Sequence, residues 1–289
     1  MALKDLCQQY GIRFKKALGQ NLLLDENIHR IMADAAGLEA SDDVLEVGAG
    51  LGALTAVLAQ RAGRVLSVEI DSAFMPCLED RFGDIEAVRL FRGDILNHEV
   101  KKLLDEFLPG CTAYKVVANL PYYITTPLLF HFWESAQEAD APRLLRMVVM
   151  VQEEVALRMV APAGGRDYGA LSIASRYYGE VDIVHKVART CFRPMPRVDS
   201  CIVRVRMHQQ RAFSPQEGAF VLRVVRAAFA HRRKTLRNCL TRTGDFGAPK
   251  EAVLEAFDAV GIDPQRRPQT LSIEEFQNLA HAIWTRLPG

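Results

Sequence analysis

A chain of 289 residues, 49% apolar and 25% charged, has the composition of a soluble globular protein with room for one large domain or a large and a small one. Its net charge of +1 gives no overall pull on polyanions, so any nucleic-acid surface has to come from local clustering. The six cysteines form no C-x-x-C pair and have no accompanying His cluster, which argues against a zinc site or a disulfide scaffold and for a reduced, cytosolic setting. No signal-peptide core opens the chain, and no apolar run reaches the ~18 residues of a membrane helix.

Residues 1–24 read as irregular, with a basic patch at Arg13, Lys15 and Lys16 followed by Leu18-Gly19-Gln20-Asn21-Leu22-Leu23-Leu24. Asp25 can cap a helix whose apolar positions Ile28, Ile31, Met32 and Ala35 recur at helical spacing. Asn21, just before it, also fits plain turn polarity. Val44–Val47 reads as a buried strand, Gly48-Ala49-Gly50-Leu51-Gly52 as a tight turn, and Leu54–Ala62 as a helix. Such a turn lets the backbone approach a ligand beside helix N-terminal N–H groups. A second strand, Val65–Ile70, brings Glu69 about 20 residues after the turn, where a carboxylate can take both hydroxyls of a ribose. Gly48, Gly50 and Ala53 also satisfy the loose dinucleotide pattern, so this unit predicts a nucleoside cofactor without saying which.

A helix over 72–82 and a strand over Val88–Phe91 lead to Gly93-Asp94. Asp94 can accept from the amine of an adenine, or simply cap the next helix near Glu99–Phe107. The strand Val116–Ala118 ends at Asn119-Leu120-Pro121-Tyr122. Proline cannot donate to a ladder, so this is a stiff loop carrying an amide, bare carbonyls and an aromatic face. Those groups suit a planar amine; the alternative is an ordinary strand-to-helix turn. A helix from Pro127 to about Ala136, a strand Leu144–Val151 and a helix Gln152–Val160 complete the alternation. It predicts a parallel, doubly wound α/β sheet whose ligand lies at the carboxyl ends of the strands. Gly48, Glu69, Asp94 and Asn119 all fall on that edge.

Beyond a glycine-rich loop at 164–169 come a helix, Leu171–Tyr178, and two β-rich stretches, Val181–Val187 and Cys201–Val205. Between them Phe192, held among prolines, reads as a stacking surface or as a core plug. Ser214-Pro215 marks a boundary. The spacing beyond it predicts helices over about 215–230, 231–242, 249–260 and 272–286, giving domains over 1–210 and 211–289. From Leu222 to Arg242 stand seven basic residues, Arg232, Arg233, Lys234 and Arg237 among them, and no acidic one. This is a phosphate-binding face or a solvated helix.

Together these motifs resemble the small-subunit ribosomal RNA adenine N6,N6-dimethyltransferases of the KsgA/RsmA type. The matching segments are Leu18–Leu23, Glu46–Gly52, Val68–Asp71, Gly93-Asp94, Asn119–Tyr122, Phe192–Pro194 with Val198–Ser200, and Arg232–Asn238. Leu22 stands where Phe is usual and Tyr123 where Asn is frequent. The resemblance implies a Rossmann-like class I methyltransferase domain that binds S-adenosylmethionine, a small helical RNA-binding domain, and no metal. It implies a cytoplasmic enzyme, a monomer, that dimethylates two adjacent adenosines near the 3′ end of small-subunit rRNA in a pre-assembled subunit. Asn21, Leu23 and Gly48 are then expected to contact the cofactor, Glu69 to hold its ribose, Asp94 its adenine amine, and Asn119 to lie between cofactor and target. Asn119 and the Leu120 carbonyl are expected to accept from the target amine, Pro121 to stiffen the loop, Tyr122 to stack on the base and Phe192 to close the pocket. Competing readings are an assembly factor acting mainly by binding, an amine methyltransferase on another nucleic acid, and a dehydrogenase, which leaves the Asn119 loop unexplained.

Overall fold

The computed structural model describes residues 3–12, 20–23, 25–138, 140–209, 214–231, 233–242 and 247–287. Arg13, Lys15, Lys16, Leu18, Gly19, Leu24 and Arg232 lie outside them. In chain order the elements are α1 (Leu3–Gln9), β1 (Leu22–Leu23), α2 (Glu26–Ala36), β2 (Asp43–Val47), α3 (Ala53–Ala59), β3 (Arg64–Glu69), α4 (Met75–Phe82), β4 (Val88–Arg92), α5 (Val100–Phe107), β5 (Ala113–Asn119), α6 (Thr125–Ser135), β6 (Arg143–Gln152), α7 (Glu153–Val160), α8 (Ala170–Tyr178), β7 (Gly179–Val187), β8 (Phe192–Arg193), β9 (Ser200–Met207), α9 (Pro215–Phe229), α10 (Leu236–Arg242), α11 (Lys250–Val260) and α12 (Ile273–Trp284).

The main sheet runs β4-β3-β2-β5-β6-β9-β7. Its first five strands are parallel neighbours. All five residues of β2 are buried, as expected of a strand covered on both faces. These five strands are the parallel, doubly wound alternation that the sequence predicts; the later β-rich stretch β9 joins the same sheet antiparallel to β6. β9 is reached from β7 through residues 188–199 without an α-helix, and parallel return needs a longer, usually helical, crossover. A separate antiparallel pair joins β1 to β8, with Leu23 opposite Phe192 and Leu22 opposite Arg193. The cap expected at Asp25 is present: its carboxylate accepts from the Asn27 N–H at 2.9 Å.

Chain order outward from β2 runs to β3 and β4, then returns to β5 on the other side. The carboxyl edge between β2 and β5 is therefore the switch point at which open α/β sheets take ligands.

The chain divides into two compact units, Met1–Ala156 with Val181–Met207, and Leu157–Glu180 with His208–Gly289. A boundary at 210/211 thus divides the chain differently from the structure, since Leu157–Glu180 goes with the helical unit. Its helix continues the α/β alternation in sequence, yet Tyr168 and Ile173 are buried in one core with Phe220, Val224, Phe257 and Phe276. The Tyr168 hydroxyl donates to the Leu271 carbonyl at 2.9 Å. The helix expected over 231–242 begins only at Leu236; the Leu236 and Arg237 N–H groups donate to the carbonyls of Arg266 and Pro264.

Candidate active site

The turn after β2 sets the floor of the site. Gly48, Gly50 and Gly52 have φ of +80°, +56° and +76°, which β-carbon-bearing residues rarely adopt. The Gly48 and Ala49 N–H groups both donate to the Val68 carbonyl, at 2.9 and 3.3 Å, holding the turn over the end of β3. A Cβ on Gly48 would lie 3.5 Å from the Asn119 carbonyl oxygen, and one on Gly50 3.1 Å from a Leu22 methyl. The glycines keep open a space bounded by the Asn119 loop on one side and Leu22 on the other.

Glu69, the last residue of β3, is buried. One carboxylate oxygen accepts from the Gly50 N–H at 2.8 Å and the other from the Asp71 N–H at 2.8 Å. Burial raises its pKa, opposed by these backbone donors. A carboxylate has about four acceptor sites, so both oxygens keep capacity for a diol. Asp71 in turn accepts from the Gln20 amide at 2.7 Å, which fastens the segment carrying Asn21 to the end of β3. Behind the turn, Glu46 is 1% exposed. One of its oxygens accepts from both Thr55 and Ser67 hydroxyls at 2.6 Å, and the other has no partner among the described residues. Burial pushes the Glu46 carboxyl up to about 7.

At the end of β5 the Leu120 N–H donates to the Met150 carbonyl at 3.2 Å, and the Pro121 carbonyl accepts from the Ile124 N–H and the Thr125 hydroxyl at 3.2 and 3.0 Å. The loop is pinned directly after Asn119, which is itself the last residue of β5, in register with Met150 of β6. Among the described residues no hydrogen bond reaches the Asn119 side chain or the Leu120 carbonyl, and both residues line the pocket. Tyr122 is held through its hydroxyl, 2.6 Å from that of buried Ser200, and burial raises its pKa. Tyr123, 51% exposed, stands at the pocket with its hydroxyl pKa raised by burial and by Asp94 and Glu69.

The pocket brings together Asn21, Gly48, Glu69, Asp94, Asn119, Leu120, Pro121 and Tyr122. Asp94 does both things its position allows: it caps the short turn Ile95–Asn97, accepting from Leu96 N–H at 3.0 Å, and it lines the pocket. Leu23 is buried in the core and faces instead an adjoining small cavity that shares Leu22, Gly48, Gly50 and Asn119. Phe192 corrects the sequence reading. It is 0% exposed, packs in the core with Leu23, Ile28 and Val148, and does not line the pocket. Pairing of β8 with β1 turns its ring inward, so it is a plug and not a stacking face. Arg233, Lys234 and Arg237 are exposed, the first two on the turn between α9 and α10 and the third on α10 itself, all within the helical unit. Sequence reasoning missed Gln20, Asp71 and Ser200 as positioning residues, and Ile70, Phe74 and Tyr123 as lining. Only the Glu-x-Asp spacing after β3 carries a signal for one of them. Among the described residues no group of three His, Cys, Asp or Glu side chains is placed to hold a metal.

The residues fit S-adenosylmethionine. A carboxylate with spare acceptor capacity stands at the glycine turn, a second stands after β4, and Val68, Ile70, Phe74 and Ile95 supply apolar walls for a flat base. A side chain at Gly50 would crowd the cradle.

Comparison with known proteins agrees with this arrangement. The sequence profile of the family described as Ribosomal RNA adenine dimethylase matches residues 11–284. Proteins called Ribosomal RNA small subunit methyltransferase A from Geobacillus thermodenitrificans and Moorella thermoacetica are 42% and 43% identical over 281 and 282 residues. These alignments cover 97% and 96% of this chain and 94% and 95% of theirs. Among solved structures, a dimethyladenosine transferase from Plasmodium falciparum superposes with a TM-score of 0.71 at 26% identity, covering 89% of this chain and 95% of that one. The 23S rRNA methyltransferase ErmE, at TM-score 0.65 and 24% identity over 91% of this chain and 99% of its own, shares the fold. With a glycine turn, two carboxylates and an unspent amide converging on one sheet edge, and a profile spanning nearly its whole length, the chain belongs to the ribosomal RNA adenine dimethylase family.

Proposed function

We propose that the protein uses S-adenosylmethionine to dimethylate N6 of two adjacent adenosines near the 3′ end of small-subunit rRNA, acting as a monomer on a pre-assembled subunit in the cytoplasm. The family, and relatives named for small-subunit rRNA methylation, support the reaction and the substrate class. No helix among the described residues is long and apolar enough to cross a membrane. The single observation that carries the reading is the Asn119 loop: two acceptors with no hydrogen-bond partner among the described residues, held in a loop that lines the pocket beside Gly48, Glu69 and Asp94.

When bound, the cofactor supplies an electrophilic methyl group on a sulfonium. Glu69 would hold its ribose hydroxyls, Asp94 its adenine amine, and Asn21 and the glycine turn its remaining polar groups. The exocyclic amine of adenine is a poor nucleophile because its lone pair is delocalised into the ring. In the first transfer the Asn119 amide oxygen and the Leu120 carbonyl accept from the two amine protons, which favours a pyramidal nitrogen with its lone pair free; each transfer releases one amine proton to water, so in the second only one acceptor has a proton to hold. These dipoles are held in place before the substrate arrives, so they need no reorganisation during reaction. Tyr122, with its hydroxyl fixed to Ser200, presents a ring of set orientation to the base. Positioning carries most of the rate.

Replacing Asn119 with Ala is expected to lower methyl incorporation into unmodified small subunits by about 10²–10³-fold. Affinity for S-adenosylhomocysteine and for RNA should change by no more than a few-fold. Undiminished turnover in the variant removes Asn119 from the mechanism. The exposed cluster of Arg233, Lys234 and Arg237 favours a second, compatible role in subunit assembly through binding.

A further inference from the structure

The segment between β7 and β9 has an anchored base and an exposed crest. The Arg189 N–H donates to the Asp199 carboxylate at 3.0 Å, and the Arg189 guanidinium to the Arg197 carbonyl at 3.2 Å, which closes residues 189–199 into a loop. Phe192 plugs the core from inside it. At the crest, Met195 is 54% and Val198 43% exposed, with Met195 set between Pro194 and Pro196.

Both ends of this crest are tied to the pocket. Arg193 pairs with Leu22, which lines it, and Ser200 bonds to Tyr122, which also lines it. Met195 follows Arg193 by two residues and Val198 precedes Ser200 by two, so each is within about 7 Å of chain from a tether. Ile70 and Tyr123, two further exposed apolar side chains, line the pocket itself. Charge completes the picture: from 183 to 198 there is no acidic residue, while Arg189, Arg193 and Arg197 are exposed.

We infer that the Arg193–Val198 crest is a second RNA-contact surface, in the catalytic unit, on which Met195 acts as a wedge filling the stack position vacated by the target adenosine while Arg193 and Arg197 hold the flanking phosphates. An apolar side chain between stiffening prolines and flanked by cations matches the chemistry of a strand with one base withdrawn: the wedge offsets lost stacking and the cations meet the backbone. A base buried in a stack cannot reach the Asn119 acceptors, and its extrusion costs a few kcal/mol.

The inference rests on the RNA-methylating reading, and the two are tested separately. Methyl incorporation into unmodified small subunits by the wild-type chain tests that reading. An RNA stem-loop carrying the two adjacent adenosines, with 2-aminopurine at the target position, reports extrusion by fluorescence, with S-adenosylhomocysteine present and no transfer possible. The wild-type chain should give a rise at saturation, Met195→Leu should keep it, and Met195→Ala should cut it about fivefold or more. Arg193→Gln with Arg197→Gln should raise the dissociation constant about tenfold and flatten its salt dependence, leaving the rise at saturation intact. S-adenosylhomocysteine binding by all variants should match wild type, which excludes misfolding. A Met195→Ala variant with the full rise, or a saturated wild-type complex with none, overturns the wedge; unaltered RNA affinity in the double arginine variant overturns the phosphate contacts.

Discussion

Glu46 shows how much of the site rests on one residue that never meets the ligand. Its carboxyl accepts from Thr55 on α3 and Ser67 on β3, and so fastens the helix after the glycine turn to the strand that ends in Glu69. Its folded-state pKa of about 7 lies above the ordinary 4.5. Between those values the folded chain binds a proton that the unfolded chain has released, so the contribution to stability is best below pH 4.5 and is lost as pH rises toward 7. From pH 5 to pH 8 the loss amounts to roughly 2–3 kcal/mol. Glu46→Gln keeps an acceptor for both hydroxyls and has no proton to lose. Urea unfolding of wild type and variant at the two pH values should show the smaller drop in the variant; equal drops mean that Glu46 does not titrate in this range.

At the scale of elements, the short pair β1–β8 does more than its two residues a side suggest. It brings Asn21 and Leu22 to the cofactor edge and turns Phe192 into the core. Phe192→Ala should therefore cost about 3–5 kcal/mol of unfolding free energy, the loss expected for emptying a buried aromatic site. Phe192→Leu should lose less and keep most methyl transfer at low temperature, where a base-stacking role predicts loss of activity without loss of stability. The four strand ends that line the pocket could be read from sequence because each is local: a buried run, then a glycine, a carboxylate or Asn-Leu-Pro-Tyr. Phe192 could not, because its orientation is decided by a partner strand far away in the chain. The same holds for Tyr122, whose hydroxyl partner lies 78 residues on. Asn119 needed no such partner to be recognisable, since the proline after it already forbids a continued ladder.

On the whole molecule, a net charge of +1 conceals local basic clusters, and RNA affinity should follow the clusters. Neutralising Arg233, Lys234 and Arg237 with Gln should reduce the slope of log affinity against log salt by about two, at ~0.7 for each phosphate contact on a single strand. Comparing precursor small subunits in cells carrying this variant or Asn119→Ala separates binding from catalysis; if only the catalytic variant disturbs them, the assembly role falls. The sequence places a domain boundary near Ser214, whereas packing of Tyr168 and Ile173 assigns Leu157–Glu180 to the helical unit, a long-range fact that no local pattern encodes. The polypeptide therefore passes between its two units three times, after Ala156, Glu180 and Met207. During synthesis Tyr168 leaves the ribosome more than a hundred residues ahead of Leu271, the carbonyl it will bond, and its apolar neighbours wait with it. A fragment ending at 210 would carry those orphaned side chains permanently, so the catalytic half is not separable at its most obvious seam.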